Sequence, residues 1–280
     1  MINGFLLINK HSGVTSSQVV QKIKKKFNLK KVGHLGTLDP MATGLLIIAI
    51  NRATKFASLL LQSEKSYRAE ITLGIQTDTD DAEGEAISFK DVNMNECEAK
   101  ETLLAFLGES DQLPPNYSAL KHKGKPLYKY ARDGIKIKKA PRKIIIKNIE
   151  NIEIELPKVS FDIQCSKGTY IRSIARDLGS RLGCGAHLSK LIRTGQEKFV
   201  LSHASSLDDI TLNKLISLED AFEDLDFVKL NEKDTAAFIH GRSIETDFDH
   251  TNLLRVYDAK NQFIAIGKNK SKGFKHEYLV

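Results

Sequence analysis

Residues 33–44, GHLGTLDPMATG, contain a single carboxylate, Asp39, in a segment that glycine and proline keep out of regular structure. Four interrupting residues fall within these twelve positions: Gly33, Gly36, Pro40 and Gly44. This density predicts a shaped loop rather than the interior of a helix or strand. Because the proline ring disfavours the helical region for the residue before it, Asp39 is expected to be extended. The segment is either a turn that uses Asp for local hydrogen bonds or the support of a lone reactive carboxylate.

The sequence lacks the patterns of most other reactive sites. It contains no G-x-S-x-G, no P-loop and no complete dinucleotide fingerprint. The acidic run 78–85 does not fit a calcium loop, because Glu83 stands where the turn glycine belongs and Phe89 where the bidentate ligand belongs. The eight histidines show no HExxH or Cys/His ligand spacing. We therefore expect an enzyme of this sequence to work without a metal or another cofactor, which leaves Asp39 as its main reactive group.

Positive charge is concentrated in one stretch, 121–143, which holds ten Lys or Arg and one acid. The basic positions are Lys121, Lys123, Lys125, Lys129, Arg132, Lys136, Lys138, Lys139, Arg142 and Lys143. Tyr117, Tyr128 and Tyr130 are interleaved with them, a mixture suited to phosphates and unstacked bases. A second cluster, residues 22–31, has six lysines and no acid. Either cluster alone could be a solvated face, but together they favour a nucleic-acid partner.

Length and composition restrict the class of protein. The 280 residues suffice for one large or two modest domains. No apolar run is long enough to span a membrane, and the N-terminal apolar segment is too short for a signal peptide. The three cysteines are scattered and form no CxxC, which favours a reducing, cytoplasmic location without disulfides.

Hydrophobic periodicity predicts strands and helices in irregular alternation, which indicates an α+β fold with a mixed sheet. The predicted strands are 2–9, 45–50, 65–74, 144–156 and 159–165, together with a hairpin within 253–267. The predicted helices are 15–27, 53–62, 95–107 and one that Thr169 caps and that extends to about 182. The alternation in 65–74 puts Tyr67 on the buried face, and the run 45–50 should be covered on both faces. The segment 114–143 is expected to be irregular, and the first turn of the last helix can direct Tyr170 and Arg172 into a cleft.

Four segments, in this order, resemble the TruB family of tRNA pseudouridine synthases. They are GHLGTLDPMATGLL (33–46), RAEITLGIQTDTDDAEG (68–84), PPNYSALKHKGKPLYKYARDG (114–134) and CSKGTYIRSIARDLGSRLGCGAHLSKLIRT (165–194). The resemblance covers about residues 2–200. It implies a mixed, largely antiparallel sheet flanked by helices, followed by a small C-terminal β domain that is PUA-like. It also implies a catalytic domain, 1–227, with a basic RNA-binding insertion at about 114–143, and a C-terminal domain, 228–280.

The resemblance implies a specific reaction, the isomerisation of uridine 55 in the tRNA T loop to pseudouridine, with Asp39 as the catalytic carboxylate. The implied partner is the T arm of tRNA, without a guide RNA, and the chain is expected to act as a monomer. The residues implied to bind the substrate are His34, Tyr67, Tyr170, Arg172 and Leu191. His34 would lie against the target loop, Tyr67 would stack on the base or remove a proton from the sugar, and Tyr170 and Leu191 would line the pocket. Arg172 would pair with Asp39, and such a pair is expected to lower the pKa of the carboxylate.

Two other classes of function fit parts of the sequence. A non-catalytic RNA-binding protein would use the same basic clusters, but it would have no reason to place a carboxylate against a polyanion. A glycosidase would need a second acid in the same pocket, and the sequence does not reveal one.

Overall fold

The structure is a computed structural model that describes residues 2–61, 63–118, 120–135, 137–245, 252–270 and 273–280. One of the ten basic residues counted above, Lys136, lies outside them. The strands of the first 200 residues are β1 (Gly4–Lys10), β2 (Val32–Leu35), β3 (Thr43–Ile50), β4 (Lys65–Leu73), β5 (Ile75–Thr77), β6 (Ala86–Phe89), β7 (Gly108–Gln112), β8 (Lys121–His122), β9 (Lys125–Pro126), β10 (Arg142–Glu155), β11 (Lys158–Cys165), β12 (Ala186–Gln196) and β13 (Phe199–Val200). The remaining strands are β14 (Phe227–Lys229), β15 (Leu254–Tyr257), β16 (Phe263–Lys270) and β17 (Gly273–Leu279). The α-helices are α1 (Ser16–Lys26), α2 (Ala53–Leu61), α3 (Glu96–Leu104), α4 (Leu127–Arg132), α5 (Ile171–Arg181), α6 (Leu218–Ala221) and α7 (Glu232–Ile239).

A nine-stranded sheet forms the centre of the described structure. Its order is β1-β3-β12-β4-β11-β10-β7, with β2 paired to β3 and β13 paired to β12. All of these pairings are antiparallel except that of β12 with β3. The prediction of a mixed, largely antiparallel sheet with helices is therefore confirmed.

Strand β3 has both faces covered, as its continuous apolar sequence predicts. Leu46, Ile48 and Ile50 join one core cluster with α1 and α5, whereas the alternate residues Leu45 and Ile47 join a second cluster with α2. Burial on both faces leaves β3 no solvent-exposed side, so the loop that precedes it is anchored to the core.

The amphipathic helices begin where their sequences provide caps. Thr15 caps α1 in a capping box with Gln18, and Asn95 caps α3 in the same way with Glu98. Both helix starts agree with the predictions.

Several local predictions are wrong. Residues 33–35 belong to β2 and not to the loop, because they pair with residues 47–49 of β3 on the edge opposite β1. Thr169 does not cap α5; its hydroxyl donates to the Ser166 carbonyl, and Tyr170 occupies the cap position without a side-chain bond. The basic segment 114–143 is not wholly irregular, since it contains β8, β9 and α4. Strands β7 and β12 were not predicted; β12 lacks a clear apolar alternation because the polar residues His187, Arg193 and Gln196 occupy buried positions in it.

A second sheet follows the main one, with four strands in the order β14-β15-β16-β17. The predicted hairpin is present as β15 and β16, which pair antiparallel. Leu254, Val256, Ala265 and Phe274 form its core with Phe238 of α7.

Cys97, Cys165 and Cys184 are free thiols, as their spacing predicts. In the part of the chain that the structure describes, no helix combines the length and the apolarity needed to cross a membrane.

Candidate active site

A cavity of about 750 Å³ opens beside the middle of the main sheet. The β2–β3 loop, β4, β12, the start of α5 and part of the basic segment contribute its walls. Its volume lies in the range of sites that bind small molecules.

The strand pairing explains why distant residues meet here. Arg193 of β12 is the register partner of Gly44 at the start of β3 and also of Tyr67 on β4. Three strands that are far apart in sequence thus lie side by side at one point. The Asp39 loop enters β3 at that point, so its residues face the side chains of β4 and β12.

The Asp39 loop is held by bonds from the start of the chain. Ser16, at the first turn of α1, accepts from the Leu38 N–H at 2.9 Å and donates to the Leu38 carbonyl at 3.1 Å. The buried Lys10 ammonium donates to the Pro40 carbonyl at 3.1 Å, and the Gly13 N–H donates to the same oxygen at 2.9 Å. These contacts bracket Asp39 on both sides and fix the direction of its side chain.

Asp39 is paired with Arg172, the residue that the resemblance implies. The Asp39 Oδ2 lies 3.0 Å from the Arg172 Nε, and the Asp39 side chain is 34% exposed whereas that of Arg172 is 6% exposed. The same guanidinium lies 3.3 Å from the Oδ2 of Asp81, a carboxylate that is 5% exposed. One arginine thus bridges two carboxylates that line one cavity.

The expectation that the pair lowers the pKa of Asp39 is wrong in its net direction. Burial raises the pKa of Asp39 above its ordinary value, and the nearby Asp81 charge raises it further. Arg172 and Lys10 act in the opposite direction without cancelling burial. The carboxylate is consequently a stronger base than a solvated aspartate.

Tyr67 lines the cavity from β4. Its ring is 8% exposed, and its hydroxyl makes a polar contact with the Arg193 guanidinium. Burial raises the pKa of Tyr67 to about 12, even though Arg193 acts to lower it. The phenol therefore remains protonated at neutral pH in the free protein.

Tyr170 is positioned by its backbone. The Gln112 side chain accepts from the Tyr170 N–H at 2.8 Å and donates to its carbonyl at 3.1 Å. Strand β7, which carries Gln112, thereby fixes the start of α5. Tyr170 lines the cavity beside Tyr117, whose carbonyl accepts from Arg172 at 2.7 Å. This last bond joins the basic segment to the Asp39 pair.

The two remaining candidates differ in placement. Leu191, on β12, is 8% exposed and lines the cavity. His34 does not line it; the residue is in β2 opposite Ile48. The His34 Nδ1 is buried without a hydrogen-bond partner among the described residues, and burial lowers the pKa of the ring. The structure thus brings Asp39, Tyr67, Tyr170, Arg172 and Leu191 together and leaves His34 to one side.

Sequence reasoning missed three charged residues near the cavity: Lys10, Asp81 and Arg193. The expectation that the pocket holds no second acid is wrong, since Asp81 shares Arg172 with Asp39. Asp81 could have been identified as a site residue from its position in segment 68–84, which resembles the family. Lys10 and Arg193 had no signal, because their burial follows from strand pairing that their local sequence does not show.

Asp81 is placed as an acceptor. The Thr79 hydroxyl donates to its Oδ1 at 2.6 Å, the Glu83 N–H donates to the same oxygen at 3.1 Å, and Arg172 faces the other oxygen. An acid of a glycosidase pair must donate a proton, and every neighbour of this carboxylate is itself a donor.

Several cations of the basic segment point into solvent. Lys121, Lys123, Lys129 and Lys138 are exposed, whereas Lys125 pairs with Asp133 at 2.6 Å. Tyr128 and Arg132 of α4 stack on each other at 5.5 Å and line the cavity. The segment therefore joins exposed positive charge to the rim of the site.

Within the described ranges, no cluster of three or more His, Cys, Asp or Glu is arranged to hold a metal ion.

Comparisons with known proteins match nearly the whole chain. Residues 24–171 match the family described as TruB family pseudouridylate synthase (N terminal domain). Residues 172–230 match the tRNA pseudouridylate synthase B C-terminal domain, and residues 227–274 match the family described as Pseudouridine synthase II TruB, C-terminal.

Individual relatives agree. The chain is 41% identical over 274 residues to a protein named tRNA pseudouridine synthase B from Thiobacillus denitrificans, an alignment of 95% of this chain and 92% of that protein. It is 48% identical over 226 residues to one of the same name from Alkaliphilus oremlandii, covering 81% and 75%. Among solved structures, a Cbf5-Nop10-Gar1 complex contains a similar chain, with a TM-score of 0.72 and 28% identity over 99% of this chain and 84% of that one. The chain belongs to the TruB family of pseudouridylate synthases.

Proposed function

We propose that this chain isomerises uridine 55 in the T loop of tRNA to pseudouridine and that Asp39 is its catalytic carboxylate. The observation that carries the proposal is that the Asp39 carboxylate lies 3.0 Å from the Arg172 guanidinium, in a cavity that Tyr67 also lines. The relatives named tRNA pseudouridine synthase B support the choice of substrate.

The reaction rearranges bonds without consuming another reactant. The C1′–N1 bond breaks, the uracil turns within the pocket, and a C1′–C5 bond forms, while C5 loses a proton and N1 gains one. Asp39 can serve by attacking the nucleotide or by assisting proton removal, since its raised pKa favours both uses of an ionised carboxylate. The reaction has no redox change, so it places no demand on a metal or other cofactor.

The neighbouring residues support Asp39 in distinct ways. Arg172 fixes the orientation of the Asp39 carboxylate. Tyr170 and Leu191 line the pocket for an extruded base, and Tyr67 either stacks on that base or takes part in proton transfer. Extrusion is required because the reacting atoms of a stacked base are inaccessible. His34 lies outside the cavity wall, and we propose that it contacts the target loop rather than the base.

The RNA is proposed to lie along the basic segment 114–143 and to be recognised through its T arm without a guide RNA. We propose a catalytic domain, 1–227, and a C-terminal PUA-like β domain, 228–280, in a monomer that acts in the cytoplasm. The separate four-stranded sheet supports this division. The exposed lysines of a segment that also contributes Tyr128 and Arg132 to the cavity wall support the RNA path.

The proposal is tested by incubating purified protein with an unmodified tRNA transcript and mapping pseudouridine chemically. We expect modification at position 55 alone, none with Asp39→Asn, and no free uracil. Release of free uracil would indicate a glycosidase, and binding without any modification would indicate an RNA-binding protein. Modification only after addition of a second RNA would contradict recognition without a guide.

A further inference from the structure

Arg193 is the largest side chain among the fully buried residues described, at 1% exposed. Its Nε donates to the Leu45 carbonyl at 2.6 Å, and its Nη2 donates to the Gly36 carbonyl at 3.1 Å. Gly36 begins the loop that carries Asp39, and Leu45 follows that loop on β3. One guanidinium thus ties both ends of the loop to β12.

The charge of Arg193 has no acid to balance it. Among the described residues, no carboxylate makes an ion pair with it, and the only group that acts to raise its pKa is Tyr67. A buried cation without a paired anion is costly, and a neutral residue would fill a core position more cheaply. Bonding between strands does not require this charge, since β3, β12 and β4 are already paired through their backbones.

The contact with Tyr67 has a defined direction. Arg193 and Tyr67 are register partners on β12 and β4, and because a guanidinium carries only donors, the Tyr67 oxygen is the acceptor in their contact. The same group therefore sets the orientation of the hydroxyl and the ends of the Asp39 loop. Close packing leaves the guanidinium little room for adjustment: at Gly36, which has a φ of +84°, a Cβ would lie 3.2 Å from the Arg193 Nη1.

We propose that Arg193 is a positioning residue of the reaction, which holds the Asp39 loop and the Tyr67 hydroxyl in one fixed relation. The inference rests on the proposed function, because it concerns the two groups assigned there to the chemistry. We assign Arg193 no reactive role of its own, because it acts through the loop carbonyls and through Tyr67.

The test variant is Arg193→Lys. It keeps the positive charge but replaces a planar fork with an ammonium, whose donors all lie on one atom and cannot reproduce the bonds that separate nitrogens make to Leu45 and Gly36. The matched control is Arg68→Lys, on the neighbouring strand position, where the arginine bonds the Asn151 carbonyl and Glu153 outside the cavity.

The main measurement is the single-turnover rate of pseudouridine formation at saturating enzyme, with tRNA affinity and thermal unfolding measured alongside. We expect the rate for Arg193→Lys to fall about 10- to 100-fold, as for a misplaced reacting group, with tRNA affinity within about twofold of wild type. Arg68→Lys should keep the wild-type rate. A rate within about threefold of wild type for a folded Arg193→Lys protein would overturn the inference.

A second measurement separates positioning from general support of the fold. In protein labelled with ¹³C at the tyrosine Cζ, the Tyr67 signal is assigned by its loss in Tyr67→Phe. We expect Arg193→Lys to shift this signal and to leave the other tyrosine signals in place. An unmoved Tyr67 signal would overturn the inference even if the rate fell.

If Arg193→Lys does not fold, the wild-type protein still provides a test through its ¹⁵N-labelled arginines. The Arg193 Nε–H should exchange slowly with solvent, and its signal should shift in Tyr67→Phe but not in Arg68→Lys. An Arg193 signal indifferent to Tyr67→Phe would refute the proposed contact. Absence of pseudouridine with the wild-type protein would instead refute the proposed function, so the two failures are distinguishable.

Discussion

Asp39→Asn should separate catalysis from stability more clearly than any other single change in this protein. The substitution keeps the shape of the side chain but removes its charge and its ability to act as nucleophile or base. Loss of an essential reactive group typically lowers turnover by about 10⁴-fold or more, so we expect no detectable pseudouridine.

The effect on folding should be small, for reasons visible in the structure. Arg172 retains Asp81 as a partner at 3.3 Å, so the substitution leaves no unpaired buried cation. Burial already disfavours the charged form of Asp39, so the loss of its charge offsets most of the loss of the pair with Arg172. For a chain of this size the change in melting temperature should stay within about 4 °C in either direction.

The pH dependence gives a second, signed expectation. Because the folded protein raises the pKa of Asp39, protonation of this group favours the folded state. Its contribution to stability is complete below the ordinary pKa of aspartate and is lost as the pH rises through the higher folded value. The wild-type protein should therefore gain free energy of unfolding relative to Asp39→Asn when the pH is lowered through that interval.

The assay combines single-turnover kinetics with thermal unfolding of both proteins over the acidic and neutral pH range. Turnover of the wild type should fall with decreasing pH at a higher pH than the titration of a solvated aspartate. Turnover of Asp39→Asn within tenfold of wild type would refute the catalytic assignment. A stability difference that changes with pH in the opposite direction would refute the account of its pKa.

Three further changes test other parts of the site. Tyr67→Phe should bind tRNA normally but turn over about 10²- to 10⁴-fold more slowly, because the ring remains and the hydroxyl is lost; near-normal turnover, with only Tyr67→Leu impaired, would show that the ring acts by stacking. The loss should not vary between about pH 6 and 9, because Tyr67 has a pKa of about 12. Joint Lys121→Ala and Lys123→Ala substitutions should lower the slope of log binding constant against log salt by about 1.4–1.8, with the rate at saturating RNA unchanged, whereas an unchanged slope would mean a solvated face. Gly44→Ala should lower the melting temperature by several degrees and slow turnover, since its Cβ would meet a backbone oxygen of β12; a variant as stable and active as wild type would contradict the close packing.

Much of the secondary structure could be predicted because its signals are local. The capping pairs at Thr15 and Asn95, the alternation around Tyr67 and the apolar run of β3 each depend on neighbours in sequence. Strand β12 was not predicted because buried polar residues, among them Arg193 and Gln196, interrupt its apolar pattern. The irregular apolar pattern of β12 therefore gave no indication of the strand that lies between β3 and β4.

The sequence alone predicted the family, the candidate reactive carboxylate Asp39 and its arginine partner, since these are carried by residue types in short segments. It could not determine the net effect of that pair on the pKa of Asp39, because the cost of burial depends on the depth of a cavity that several distant segments build. Nor could it show that Asp81 shares Arg172, or that Lys10 and Arg193 hold the loop. Those contacts join residues up to 157 positions apart. The pairing of β1 with β3 brings Lys10 to the loop, and the pairing of β12 with β3 brings Arg193 to it.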